Sequence, residues 1–388
     1  MDGGNNGDID RFMAKTGTKI IAQRCDRFST RIGWREGDFS GYSFIKLARG
    51  GGLRQMRRHG RDMTCRQAGA RRVTESYQNV GHRDWRLTGL RADRNWRGLA
   101  IAGPTASGKS RLALDWASAH EGIIINADAM QVYSDLRVIT ARPGEADEAI
   151  VPHRLYGIVN GSQAGSAQIW AERACAEIAA ARAQGALPVL VGGTGLYFRA
   201  LFEGLADLPD IPDAIRRKWR ERATDEGSMA LHAELRRRDP AMAARLRPSD
   251  AQRVTRALEV IDTTGRSLAA YHEAATTGLE DPAGWERVCL LPEREVLHGA
   301  IAARVRAMIA HGAVGEVEAL LARKLHRALP VMKAIGVNEL GAYLAGEGTI
   351  DEAQARMMAA TRRYAKRQVT WMRTQMVDWR VLGSAAAM

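Results

Sequence analysis

The residues with the plainest chemistry form one short run, Gly103, Pro104, Thr105, Ala106, Ser107, Gly108, Lys109 and Ser110. The pattern G-x-x-x-x-G-K-S lets the backbone turn so that successive N–H groups converge on phosphate oxygens. Lys109 adds a mobile charge, and the Ser110 hydroxyl is able to ligate Mg²⁺. Two further reactive groups stand at the ends of apolar runs. Asp128 ends Gly122-Ile-Ile-Ile-Asn-Ala-Asp128, and Thr194 sits in Gly192-Gly-Thr-Gly195 after Leu187-Pro-Val-Leu-Val191. A carboxylate at a strand end that faces a phosphate loop serves as a metal ligand or as a general base.

These groups need elements to position them. Gly98-Leu-Ala-Ile-Ala102 has the texture of a short buried strand and Arg111 to His120 that of a helix, so the loop joins strand to helix as phosphate binding requires. In an open α/β sheet the carboxyl ends of parallel strands share one crevice, which predicts that Asp128 and Thr194 look toward the loop. A phosphate loop alone fits a kinase of a nucleoside or small metabolite. The strand 187–191 nevertheless ends without the acid that holds Mg²⁺ in many NTPases.

Elsewhere the residue types suit RNA. Residues 356–373 contain six basic residues and no acid, interleaved with Tyr364 and Trp371. Cations meet phosphates and flat side chains meet unstacked bases, although the same pattern describes a basic helix whose aromatics enter a core. Residues 209–282 read as helices punctuated by Pro209, Pro212, Asp239-Pro240, Pro248 and Gly265. Their 13 Lys and Arg balance 13 Asp and Glu, so charge alone does not decide between RNA contact and a solvated face. Tyr133, Trp170 and Tyr197 fall in apolar patterns and read as core. The histidines lack metal-ligand spacing, and Cys25, Cys65, Cys175 and Cys289 contain no C-x-x-C pair, so neither a zinc site nor a disulfide framework is expected.

Several separated blocks, taken together, make the chain from about Gly98 to Trp379 resemble the tRNA dimethylallyltransferase family. They are Gly103-Pro-Thr-Ala-Ser-Gly-Lys-Ser110, Asn126-Ala-Asp-Ala-Met-Gln-Val-Tyr133, Thr140-Ala-Arg-Pro143, Pro152-His-Arg154, Gly192-Gly-Thr-Gly-Leu-Tyr197, Gln252-Arg-Val-Thr-Arg-Ala-Leu-Glu-Val260 and Thr361-Arg-Arg-Tyr-Ala-Lys-Arg-Gln-Val-Thr-Trp371. The resemblance implies transfer of a dimethylallyl group from dimethylallyl diphosphate to N6 of the adenosine 3′ of the anticodon, in tRNAs reading codons that begin with U. It implies that the loop holds a diphosphate with Mg²⁺ on Ser110, that Asp128 is the base, and that Thr194, Arg216 and Arg304 offset charge on the departing group. It further implies tRNA contacts at Asp128, Ala129, Met130 and Gln131; at Gln252, Arg253, Val254, Thr255 and Arg256; at Lys333, Ala334, Ile335, Gly336, Val337 and Asn338; and at Lys366, Arg367, Gln368, Trp371 and Arg373. Three positions depart from the family pattern: Ala129 replaces a usual serine, Arg142 a lysine and Val337 a tyrosine.

The 388 residues are 45% hydrophobic and 26% charged, enough apolar surface for one large or two ordinary domains. No run approaches the ~18 apolar residues of a membrane helix, and a cytoplasmic, membrane-free protein is expected. The net charge of +13 is unevenly spread. Residues 1–97 hold 21 Lys and Arg against 10 Asp and Glu, with 14 glycines, no proline and 11 Ile, Leu and Val, leaving 36 against 34 charges for the rest. That composition predicts a disordered basic extension, or a stretch upstream of the true start. The expected architecture is α/β: a P-loop NTPase-like parallel-sheet core of residues 98–208 and 283–380 with C-terminal helices, an all-helical tRNA-binding insertion at 209–282, and that extension. With no heptad or other association signal, a monomer is expected.

Overall fold

The computed structural model describes residues 96–273, 278–279 and 281–383. The expectation for 1–97 therefore lies outside the described residues, apart from Trp96 and Arg97. Trp96 stacks on Trp116 with ring centroids 5.8 Å apart, and the Arg97 N–H donates to Gly284 O at 2.6 Å.

Six strands, β1 (Gly98–Ala102), β2 (Gly122–Asn126), β3 (His153–Arg154), β4 (Leu187–Gly192), β5 (Trp285–Leu291) and β6 (Arg380–Gly383), form one sheet in the order β3-β2-β4-β1-β5-β6. All neighbours are parallel. Parallel strands covered on both faces read as unbroken apolar runs, and all five residues of β1 are buried. Alternate side chains serve opposite faces. Leu99 and Ile101 join Ile124, Val189, Val191 and Val288 beneath α1 (Lys109–Ala119), where Leu112 and Trp116 meet them.

On the opposite face Ala100, Ile125 and Leu190 join a larger core. The short α2 (Glu145–Glu148) precedes β3; α3 (Ala167–Ala183) and α4 (Gly195–Phe202) flank β4 in the chain. The second half supplies α10 (Arg294–Ala310), α11 (Ala313–Ala322), α12 (Val337–Leu344) and α13 (Ile350–Gln375), after an intervening set of helices α5 to α9. The 26-residue α13 starts with a reciprocal cap: Glu352 N–H donates to Thr349 Oγ1 at 3.2 Å, and Thr349 N–H to Glu352 Oε2 at 2.9 Å.

The intervening helices are α5 (Asp213–Asp225), α6 (Gly227–Arg238), α7 (Pro240–Arg245), α8 (Ala251–Thr264) and α9 (Leu268–Glu273), with a hydrophobic cluster of their own around Trp219, Leu231, Leu235 and Leu258. Their breaks follow the punctuation in the sequence. Asp239 caps α7 by accepting from Met242 N–H at 3.0 Å, and Gly265 ends α8 at φ 67°. Asp262 accepts from Lys218 at 2.9 Å, from Trp219 Nε1 at 3.0 Å and from Arg238 at 2.8 Å. Burial by itself raises the Asp262 carboxyl, but these three donors outweigh it and hold the group at about 2. Lys218 and Arg238 are thus engaged internally, and Arg237 pairs with Glu234. Among the described residues no helix is long and apolar enough to cross a membrane.

Candidate active site

The loop after β1 is anchored at its start, where Gly103 N–H donates to Gly192 O at 3.2 Å, and closed by Ser107 N–H to Pro104 O at 3.2 Å. Ala106 at φ 64° and Gly108 at φ 87° take left-handed conformations, free for glycine and costing about 1 kcal/mol at the alanine. No side chain caps α1, so its first-turn N–H groups face an incoming anion. Lys109 Nζ donates to Pro104 O at 3.2 Å, curling the side chain back over the loop. Burial pushes its ammonium down to about 8, with Asp128 opposing the shift and Arg304 adding to it. The Ser107 hydroxyl is buried without a hydrogen-bond partner. A buried cation, an orphaned hydroxyl and helix-terminal amides within one turn make an anion cradle. Ser110 is exposed beside it, at the second position of α1.

The strand expected to reach Asp128 ends two residues earlier, because the buried Asn126 side chain bends the chain. It accepts from Asp128 N–H at 2.9 Å and donates to Asp128 O and Leu155 O, each at 3.1 Å. Asp128 Oδ1 in turn accepts from Met130 N–H at 2.9 Å, which fixes the plane of the carboxylate. Thr194, just past β4, staples the two strand ends: its Oγ1 accepts from Ala129 N–H at 2.9 Å and its N–H donates to Ala127 O at 3.2 Å. Asp128 and Arg304 both sit close enough to Lys109 for their charges to act on it.

Three phenols complete this corner. Burial raises the Tyr156, Tyr197 and Tyr364 hydroxyls well above the usual tyrosine range and the Asp128 charge raises them further, so all three stay protonated; the Arg367 charge and then Thr194 pull the other way at Tyr364. Tyr197 stacks on Trp170 at 4.2 Å, and Trp170 Nε1 donates to Asn126 O at 2.8 Å. Tyr133 and Trp170 are buried in the core, in keeping with their apolar patterns. Tyr156 has no motif to announce it. The pairing of β3 with β2 and the bond from Asn126 to Leu155 O carry it to Asp128.

A second carboxylate works from a distance. Glu316 on α11 accepts from Arg137 N–H at 2.5 Å, Val138 N–H at 2.7 Å and Ile139 N–H at 2.9 Å. The loop it holds presents Thr140 O to Arg304 Nη2 at 3.0 Å, and Thr140 O and Ala141 O to Gln131 Nε2 at 3.0 Å. Glu316→Ala is expected to cost about 1–3 kcal/mol of stability, measured by urea unfolding, because three amides lose a charged acceptor. Glu316→Gln, with one acceptor oxygen, should recover part of that.

The remaining predicted residues divide by helix face. On α8, Gln252 and Arg253 are exposed and Arg256 is half-buried, whereas Val254 enters the cluster around Trp219 and Thr255 is buried. Lys333 and Asn338 are exposed, but Ala334, Gly336 and Val337 are buried and Ile335 is half-buried. On α13, Lys366, Arg367 and Arg373 are exposed while Gln368 is buried and Trp371 packs into the core. The buried members act through packing or backbone hydrogen bonds. Ala129, Met130 and Gln131 are half-buried beside Asp128. Arg216 lies on α5 with its Nε buried and unpaired; among the described residues no hydrogen bond or ion pair joins it to the phosphate loop.

Comparison with known proteins agrees with this geometry. A family model described as IPP transferase matches residues 131–375. The tRNA dimethylallyltransferase of Rhizobium meliloti (strain 1021) is 50% identical over 278 residues, 72% of this chain and 92% of the relative. That of Rhodopseudomonas palustris (strain BisB18) is 53% identical over 283 residues, 73% and 90% respectively. Among solved structures, the full-length tRNA isopentenylpyrophosphate transferase from Bacillus halodurans aligns with a TM-score of 0.53 at 33% identity, covering 74% of this chain and 90% of that one. A eukaryotic dimethylallyltransferase acting on tRNA aligns at 0.62 with 27% identity, covering 74% and 73%. Identity at this level over nearly the whole of the bacterial relatives, on a sheet whose strand ends carry the phosphate loop, Asp128 and Thr194, excludes the kinase reading: the chain belongs to the tRNA dimethylallyltransferase family.

Proposed function

We propose that this site moves a dimethylallyl group from dimethylallyl diphosphate to N6 of the adenosine 3′ of the anticodon, in tRNAs reading codons that begin with U. The observation that carries the reading is the placement of a fixed carboxylate, Asp128, within electrostatic reach of the buried Lys109 in an anion cradle. The exocyclic amine of adenosine is a weak nucleophile, so both ends of the reaction need help. Lys109, Ser107 and the first-turn amides of α1 bind the diphosphate, and Arg304, Thr194 and Arg216 offset charge on it as it departs. Asp128 Oδ2 takes the N6 proton while nitrogen bonds to the allylic carbon and the C–O electron pair leaves with diphosphate.

The Mg²⁺ implied by the family fits here in a particular way. Among the described residues no group of three or more His, Cys, Asp or Glu side chains could hold a metal. Ser110 would therefore hold the ion together with diphosphate oxygens and water, a usual coordination for Mg²⁺ at phosphates. It would supply positive charge to the leaving group.

The tRNA side rests on exposed cations. Arg362, Arg363, Lys366, Arg367 and Arg373 line the outside of α13, and Gln252, Arg253, Arg256, Lys333 and Asn338 extend the polar surface. These groups suit the phosphates of an anticodon stem-loop, from which the target base is flipped to reach Asp128. The reading includes a monomeric, cytoplasmic enzyme.

The test incubates the purified protein with Mg²⁺, dimethylallyl diphosphate and unmodified tRNA bearing that adenosine, then digests the RNA. The expected product is a nucleoside heavier by one dimethylallyl group, with diphosphate released. A folded protein that yields no such nucleoside and instead converts ATP to ADP on a small acceptor would sink the proposal.

A further inference from the structure

The long helix α13 turns two different faces to its surroundings. Its basic residues point outward, but Tyr364, Gln368 and Trp371, at spacings of four and three, form one inward stripe over the two phosphate-side loops. Tyr364 lies close to Thr194, and the Trp371 indole lies where a Cβ on Gly195 would be. Gln368 lies between them, buried at 5% exposure. Its Oε1 accepts from Thr105 N–H at the crest of the phosphate loop at 2.8 Å, and its Nε2 donates to Gly193 O at 2.8 Å. A Cβ on Gly193 would collide with that amide nitrogen. The two partners fix the orientation of the amide, since a backbone N–H needs an acceptor and a carbonyl needs a donor.

We propose that Gln368 is a positioning residue that ties the phosphate loop to the Gly193–Thr194 turn and thereby sets where the diphosphate sits relative to Asp128. The inference rests on the reading that this loop holds a diphosphate. It departs from assigning Gln368 to tRNA, because both ends of its amide are occupied by backbone and almost none of it reaches the surface. The linkage is continuous: Thr105 to Gln368, Gln368 to Gly193, and the neighbouring Thr194 to Ala129, next to the base. Few side chains replace such a bridge. Leucine fills the space but leaves Thr105 N–H and Gly193 O unpaired, while glutamate keeps the acceptor and turns a second one toward a carbonyl.

The test uses the full chain with Gln368→Leu and Gln368→Glu, measuring three things on each: the Kd for inorganic diphosphate with Mg²⁺, the Kd for unmodified tRNA, and KM and kcat for prenyl transfer. Both variants are expected to weaken diphosphate binding and to raise the KM for dimethylallyl diphosphate by about 10-fold, with kcat lowered and tRNA affinity unchanged. Weaker tRNA binding with normal diphosphate binding would overturn the proposal and make Gln368 an RNA contact. Normal constants for both ligands, with only a smaller active fraction, would overturn it in favour of bare packing. If the leucine variant does not fold, the glutamate variant decides alone by the same split. Wild type assayed alongside keeps the two claims apart: wild type that binds diphosphate yet transfers nothing refutes the reaction, while the variants' diphosphate affinities still decide the role of Gln368.

Discussion

Asp128→Asn is expected to lower the single-turnover rate by about 10²–10⁴-fold with tRNA affinity intact, the usual span for losing a general base. Asparagine is the informative choice because its Oδ1 still accepts from Met130 N–H, so the turn from Asn126 to Met130 keeps its shape. What disappears is the acceptor that carries charge. The substitution also removes the one named charge that opposes the loss of the Lys109 proton, leaving burial and Arg304 to act alone. Measuring the rate at saturating dimethylallyl diphosphate separates the proton-transfer share from the change in diphosphate binding. A saturated rate within about tenfold of wild type would remove Asp128 as the base. The neutral phenols of Tyr156, Tyr197 and Tyr364 would not replace it, since burial, the largest cause at each, holds them protonated even without the Asp128 charge.

The parts of this site legible in the sequence are those set by local pattern and one topological rule. The phosphate loop carries its own turn chemistry, and a parallel sheet necessarily brings the ends of β1, β2 and β4 to one edge, so the sequence alone puts Asp128 and Thr194 there. The capping of α7 by Asp239 and the ending of α8 at Gly265 were equally local. What remained hidden depends on contacts far apart in the chain. Gln368 meets Thr105 across 263 positions and Glu316 meets Arg137 across 179, and neither residue type at its own position signals the partner.

The stretches expected to meet tRNA pose a different problem. A motif matched as a block has no inside or outside, yet a helix has both. In Gln252-Arg-Val-Thr-Arg256 the helical period alone buries Val254 and Thr255 and leaves Arg253 in solvent, and the same geometry hides Gln368 beside the exposed Arg367. The period was available in the sequence. Applied to each block, it separates side chains that can touch RNA from those that hold the fold.

Lys109→Met should separate stability from function more sharply than any other change. Methionine keeps the length and apolar stem of lysine and removes the charge, so diphosphate loses its one buried cationic partner in the loop. The expected loss in kcat/KM is about 10²–10³-fold, the scale for removing one preorganised charge-stabilising group, with inorganic diphosphate binding lost in parallel by calorimetry. The unliganded protein should melt at the same temperature or higher. Folding lowers the lysine from 10.5 to about 8, so the folded chain holds that proton less tightly than the unfolded chain does. Below about pH 8 this opposes folding in full, and the penalty fades as pH rises from there toward 10.5. Removing the ammonium relieves that cost at neutral pH and gives up one bond, to Pro104 O. A lower Tm with unchanged diphosphate affinity would instead make Lys109 a strut for the loop. Retained stability with lost binding means that the desolvation of the lysine is what primes the loop for an anion, since the diphosphate charge is what favours the protonated lysine once bound.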